Sequence, residues 1–240
     1  VGSWPAAGFV LLLAVDPFVA GLSGLLHVDG LMTTFVTISL LALAVVFPER
    51  NVNWRLTAVS GTAAGCAILT KSAALALLPF AALAFGLGLM LWPSRRKNIF
   101  RLGLVWLGTA VLIQFLLLPA FWSSPVGTYE TILGTIFHEA EEVLPPTFFA
   151  GQVRQAHSPI FYPVALVYRL HPLVFVGLLL GGWLGLVRSV TAKGWQRPFL
   201  WLATGWPIFF ILVLSFAAKK YDRYLLPALP MLFLLGMAGW

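Results

Sequence analysis

Charge is scarce in this sequence. Of 240 residues, 15 are Lys or Arg and 8 are Asp or Glu, 10% in all, against roughly 25% in an average soluble domain. That excludes a soluble globular domain and a disordered tail. Cysteine is nearly absent: Cys66 stands alone, so there is no disulfide framework. Period-two alternation is missing from the apolar runs, which excludes a transmembrane barrel built from strands of ~10 residues. Nor is there a basic patch. The formal charge is +7, but the cations sit in short groups between long apolar runs, which excludes a nucleic-acid-binding module.

What is present is apolar sequence: 60% of the residues are hydrophobic. The runs cover residues 6–15, 30–47, 56–69, 73–92, 102–122, 159–187, 198–218 and 224 onward, with a break at His171-Pro172. Most approach the ~20 residues that cross a bilayer as a helix. Gly (22) and Pro (16) are frequent, as they are in membrane helices. The expected fold class is therefore all-α, a polytopic transmembrane bundle of about seven to eight spans. Residues 1–240 form one transmembrane domain, with 123–158 as an extramembrane loop. Both ends lie in apolar sequence, so the chain reads as an internal piece of a larger membrane protein.

Lys and Arg counts give an orientation. If the breaks alternate sides, one side receives Arg50, Arg55, Arg95, Arg96, Lys97, Arg101, Arg188, Lys193 and Arg197. The other receives Lys71, Arg154, Lys219, Lys220 and Arg223. The first side is expected in the cytoplasm. For this parity to hold, residues 159–187 must cross once, as a helix near the surface followed by a span bent at Pro172. Every acid except Glu49 then falls on the extracytoplasmic side, together with His27, His138 and His157. Ionisable groups at membrane depth are costly and usually line a cavity. A cavity holding cations and carboxylates suits an anionic, lipid-linked substrate: cations for a phosphate, a carboxylate for a hydroxyl or amine.

Four blocks carry a resemblance: DPFVAGLSGLLHVDGLMTTFVTISLLAL (16–43), GTAAGCAILTKSAALALLPF (61–80), SPIFYPVALVYRLHPLVFVGLLL (158–180) and KKYDRYLLPALPML (219–232). In this order they resemble the polyprenyl-phosphate-sugar-dependent membrane glycosyltransferases of the GT-C superfamily. The relevant branch holds the protein O-mannosyltransferases and the lipid A aminoarabinose transferase. The resemblance implies transfer of a sugar from a polyprenyl-phosphate carrier to a protein, lipid or glycan acceptor, with inversion. It also implies an active site facing away from the cytoplasm, in the plasma membrane of a bacterium or archaeon. It places the main catalytic carboxylate in a loop upstream of Asp16, outside this sequence. Where the family often has Arg after the Ser of the first block, this chain has Gly24.

Individual residues carry two readings each. Asp29, before an apolar run, is a helix N-cap or a catalytic carboxylate in the cavity. Asp16-Pro17 ends a helix or lines the cavity. His27 is an interfacial side chain or a cavity group. It lies two residues from Asp29, a poor helical ligand pair, so a divalent metal stays an open alternative without an assigned ligand set. Lys71 snorkels or, as the resemblance implies, lines the cavity and binds the donor phosphate. Lys219, Lys220 and Arg223, flanked by Tyr221 and Tyr224, are an interfacial anchor or a clamp on that phosphate. Arg154, His157 and Tyr162 precede the third block and are candidates to face the donor. The run His138-Glu139-Ala140-Glu141-Glu142 lacks the second His of a zinc-protease helix and reads as a solvated face. Two other functions fit the same charges: a secondary transporter for an anionic solute, which would need an inverted repeat not visible here, and a non-catalytic protein that binds the lipid carrier.

Overall fold

The computed structural model describes residues 3–24, 27–47, 52–141, 147–149, 151–154, 158–188, 196–217 and 220–240. Almost all of them are helical. Helices α1 (Ser3–Val15) and α2 (Pro17–Gly24) are two arms of one rod bent by 55°. Pro17 has no N–H and keeps Asp16 out of the helical region, which forces the break. The Asp16 carboxylate then accepts from the amides of Phe18 (3.1 Å) and Val19 (2.9 Å), starting α2.

Helices α3 (Val28–Val46), α4 (Trp54–Thr70), α5 (Leu77–Leu91) and α6 (Arg96–Leu117) follow. Between α4 and α5, Lys71 is extended (φ −159°, ψ 137°) and a 3₁₀ turn spans Ser72–Ala76. Helix α4 packs against both α3 and α6. The backbones approach closely because Gly61 and Gly65 line the contact: a Cβ on Gly61 would stand 2.2 Å from the Trp106 carbonyl oxygen, and one on Gly65 2.5 Å from that of Ala110. Small residues at this spacing are how membrane helices gain van der Waals contact without a hydrophobic driving force. A buried polar link reinforces the three helices. The Ser60 hydroxyl donates to the Ser39 carbonyl (2.7 Å) and accepts from Trp106 Nε1 (3.1 Å). Gly61→Ala should therefore destabilise the bundle by about 1–3 kcal/mol, read as earlier thermal unfolding in detergent.

Segment 123–158, expected as a loop, holds more structure than that. A four-residue turn of helix, α7 (Ala120–Ser123), leads into α8 (Pro125–Glu141). An antiparallel hairpin pairs β1 (Thr147–Phe149) with β2 (Gln152–Arg154), in register Thr147↔Arg154 and Phe149↔Gln152. Gly151 supplies the positive φ (80°) its turn requires. Then come α9 (Phe161–Arg169), α10 (Pro172–Arg188) and α11 (Gln196–Phe216). A 3₁₀ segment at Asp222–Ala228 leads into α12 (Leu229–Gly239). The axis turns by 113° between α9 and the first part of α10, at the His171-Pro172 break.

The class is all-α and polytopic, and the protein is an integral membrane protein. The expected seven to eight spans are not found. Among the described residues four helices are long and apolar enough to cross a membrane, or up to six if each bent pair is one span. Some apolar sequence lies in shorter pieces, such as α9 with 9 residues. The surface is turned out for lipid. Leu104, Leu107, Leu112 and Leu116 of α6 are exposed, while Ser39, Thr57 and Ser60 are buried.

Helix α4 packs along α3, and the chain reverses again at 71–76 and 92–95, so the start of α3 and the ends of α4 and α6 lie at one end of the bundle. Arg55, Arg95, Arg96 and Lys97 lie at the other. The 222–228 segment packs against α3 and α11, and Trp206 Nε1 of α11 donates to the Pro227 carbonyl (2.9 Å).

Candidate active site

Three elements converge at the first end of the bundle. Asp29 stands in the first turn of α3, where helix amides favour a negative charge. Its side chain makes no N-cap bond, and its residue is 1% exposed. Lys71, where the chain leaves α4 in an extended conformation, donates from Nζ to Asp29 Oδ1. Arg223, in the 3₁₀ segment, brings Nε to 3.8 Å from Asp29 Oδ2, and His27 Nδ1 stands 3.2 Å from the same oxygen. Three side chains separated by up to 196 positions thus gather around one carboxylate.

Aromatic rings hold the cations in place. Lys71 Nζ lies 4.3 Å from the centroid of the Tyr224 ring. The Arg223 guanidinium carbon is 4.8 Å from Tyr221 and 5.7 Å from Tyr224. The two tyrosines meet edge to face at 5.5 Å. The negative faces of the rings attract the cations and fix them near Asp29 without neutralising them. Three buried polar atoms at this point have no hydrogen-bond partner: His27 Nδ1, Asp29 Oδ2 and Arg223 Nε. Each such atom costs about 1–3 kcal/mol unless a ligand or water completes it.

The remaining sequence candidates are placed as follows. Asp16 is 2% exposed and caps α2, while lining a cleft of about 520 Å³. Lys220 turns its ammonium on the carbonyls of Ser215 (2.7 Å) and Ala217 (3.0 Å) at the end of α11. Burial pushes its pKa down. Tyr162 is fully buried, edge-on to Phe161 at 5.1 Å. Arg154 is placed only by its backbone in β2. His157 and Lys219 lie outside the described residues. Among the described residues no group of three or more His, Cys, Asp or Glu side chains could hold a metal ion.

Sequence reasoning missed two features. Arg169, left over inside an apolar run, pairs with Asp222 and covers the Phe18 ring at 5.0 Å. That pair stands between the cleft beside Asp16 and a second, mostly aromatic cleft of about 570 Å³ under the hairpin. Gln114 is 3% exposed at the end of α6, donates from Nε2 to the Ala110 carbonyl (3.0 Å) and accepts from the Tyr129 hydroxyl (3.2 Å). The signal for both was present: a charge and an amide inside apolar runs mark function more often than packing.

Residues 1–122 match the dolichyl-phosphate-mannose-protein mannosyltransferase family. The chain is similar to the undecaprenyl phosphate-alpha-4-amino-4-deoxy-L-arabinose arabinosyl transferase 2 of Pseudomonas fluorescens, 29% identical over 98% of this chain and 40% of the relative. It is also similar to the undecaprenyl phosphate-alpha-4-amino-4-deoxy-L-arabinose arabinosyl transferases of two Pseudomonas strains. The Pseudomonas paraeruginosa protein is 30% identical and the Pseudomonas aeruginosa protein 29%, each over 95% of this chain and 39% of the relative. The chain thus spans about 40% of the length of these relatives. No solved structure matches it.

Proposed function

Because the chain belongs to the dolichyl-phosphate-mannose-protein mannosyltransferase family, we propose that it is part of a membrane glycosyltransferase that takes its sugar from a polyprenyl-phosphate carrier. The observation that supports this most is the cluster of Lys71, Arg223 and His27 around the buried carboxylate of Asp29. Two cations and one carboxylate leave a net positive charge around a buried Asp29, with the Arg223 side chain still 34% exposed to a ligand. A phosphate monoanion or diester complements that charge, and the unpartnered Arg223 Nε is a donor for one of its oxygens.

In the reaction so proposed, an acceptor oxygen or nitrogen attacks the anomeric carbon of the sugar. The bond from that carbon to the phosphate oxygen breaks, and the electron pair leaves with the carrier phosphate. Lys71 and Arg223 stabilise the negative charge that develops there. Asp29 is the counter-ion that lets two cations stand together and aims them at the phosphate. In this reading Asp29 is also the base that takes the acceptor's proton. Tyr221 and Tyr224 are the platform under both cations. The site would face away from the cytoplasm, since Arg55, Arg95, Arg96 and Lys97 mark the opposite end of the bundle. The acceptor is not specified by these residues.

The test is carrier binding and transfer by the full-length protein in detergent. Arg223→Ala should weaken binding of undecaprenyl phosphate by about tenfold or more, the worth of one charge-assisted hydrogen bond. Arg223→Lys should recover part of it. Unchanged affinity in Arg223→Ala would remove the phosphate assignment.

A further inference from the structure

Arg223 is not fixed by the carboxylate it faces. Its Nε stands 3.8 Å from Asp29 Oδ2, beyond hydrogen-bond length, and has no hydrogen-bond partner among the described residues. Its aim depends on the two tyrosine rings and on where the 3₁₀ segment Asp222–Ala228 places its backbone. That segment is held from α9 at two successive residues. The Tyr221 backbone is hydrogen-bonded to the buried Tyr162 hydroxyl, near the start of α9. At the last residue of α9, Arg169 Nη2 donates to Asp222 Oδ2. The other oxygen of that carboxylate, Oδ1, accepts from the Arg223 amide at 2.8 Å. Asp222 thus joins the α9 guanidinium to the backbone of the residue that faces Asp29.

We propose that Arg169 is a positioning residue: through Asp222 it holds the 3₁₀ segment so that Arg223 keeps its free donor aimed beside Asp29. This rests on the phosphate reading above, in which Arg223 meets the carrier phosphate. Arg169 itself need touch no substrate to act.

The surroundings of Arg169 suit that role. Its guanidinium lies 5.0 Å from the Phe18 ring of α2, and the Asp16 carboxylate fixes the start of that helix. A ring contact uses the face of the guanidinium and leaves its N–H edge for a carboxylate. Helix α2, helix α9 and the 3₁₀ segment therefore meet at one side chain, just before the axis turns by 113°. Folding stability does not account for the pair. The side chains of Arg169 and Asp222 are 48% and 37% exposed, and ion pairs this open add little to it. Orientation is worth more. A displacement of about 1 Å at a group that meets the substrate can cost about 10²-fold in rate, and Arg223 is one residue away from the clamped carboxylate.

The test uses the full-length protein in detergent, with undecaprenyl phosphate as the probe. Arg169→Ala should weaken its binding by about threefold, a smaller loss than in Arg223→Ala, with thermal unfolding little changed. Arg169→Lys should recover part of the loss, since an ammonium can still pair with Asp222. Asp222→Asn keeps an acceptor for the Arg223 amide and removes the charge that Arg169 holds, so it should match Arg169→Ala. The double variant Arg169→Ala/Arg223→Ala should bind no more weakly than Arg223→Ala alone, because Arg169 acts through Arg223. Additive losses would show Arg169 acting by itself and overturn the proposal. Wild-type affinity in both Arg169→Ala and Asp222→Asn would overturn it too. In either case a weakened Arg223→Ala leaves the phosphate reading standing. Unchanged binding in Arg223→Ala would instead overturn that reading, and the positioning role with it.

Discussion

Lys71→Ala should lower transfer by about 10²–10³ in kcat, the largest loss expected from any single change in this chain. Lys71 touches Asp29, stacks on Tyr224 and borders a cleft between α6 and α8. Removing this donor removes stabilisation of charge that appears only as the phosphate departs, so kcat should fall more than the affinity for bare carrier. Lys71→Arg should not restore it. The guanidinium is planar and longer, and cannot act as a point charge between a carboxylate and an aromatic face. Single-turnover kinetics with lipid-linked donor check this, and wild-type rates in Lys71→Ala would overturn the assignment.

Asp29→Asn should produce the second largest effect, and it should appear in stability as well as rate. The substitution keeps the shape and removes the charge that Lys71, Arg223 and His27 share. Breaking a fully buried pair costs about 3–5 kcal/mol. Here the side chains of Lys71 and Arg223 keep 19% and 34% of their exposure, so about 2 kcal/mol is expected. Activity should fall by about 10² or more, since the cations lose the group that aims them. The double variant Lys71→Ala/Asp29→Asn distinguishes the two roles of Asp29. If Asp29 acts only through Lys71, the double variant should be no slower than Lys71→Ala. If it also accepts the proton, the double variant should be slower still. Thermal unfolding and transfer rate, measured on all four proteins, form the cycle.

Most of the cation cluster was legible in the sequence because its members interrupt apolar runs. A Lys between Thr70 and Ser72, an Asp ahead of an apolar helix and an Arg beside two tyrosines are each conspicuous where charge is costly. The sequence did not reveal which of them meet. Lys219-Lys220-Tyr221-Asp222-Arg223 reads as one cationic group. In the structure Lys220 closes the end of α11, Asp222 pairs with Arg169 and Arg223 reaches Asp29. Adjacent residues diverge because the chain there leaves a helix and enters a 3₁₀ segment, so successive side chains point in different directions. Asp16 is an instance of the opposite kind. The Asp-Pro step showed that a helix must break there, and the carboxylate caps the next helix, a purely local matter.

Gln114 and the segment after Ser123 mark the limit of sequence reading. A single amide near the end of an apolar run carries no direction, and the polar composition of 125–141 hides a helix whose Tyr129 reaches back to α6. The number of spans was likewise beyond it. Hydropathy measures how apolar a stretch is, while a span also needs length along one axis, and breaks at Pro17, Lys71 and His171-Pro172 divide apolar sequence into pieces that do not share one.

By itself, the sequence determined that this is an integral membrane protein of helices, which end of each helix is polar, and which charges stand isolated enough to matter. Those are consequences of local solvation: a backbone in lipid must close its own hydrogen bonds, and a charge in lipid must be accounted for. Only the tertiary structure decided that residues 27, 71 and 223 surround the Asp29 carboxylate, that Lys220 turns to the end of α11 instead, and that Gln114 and Tyr129 meet in a cleft beside Lys71. Those depend on how α3, α4, α6 and the 222–228 segment pack. That packing is set by close backbone contacts such as Gly61 on Trp106 and Gly65 on Ala110, which no hydropathy pattern encodes.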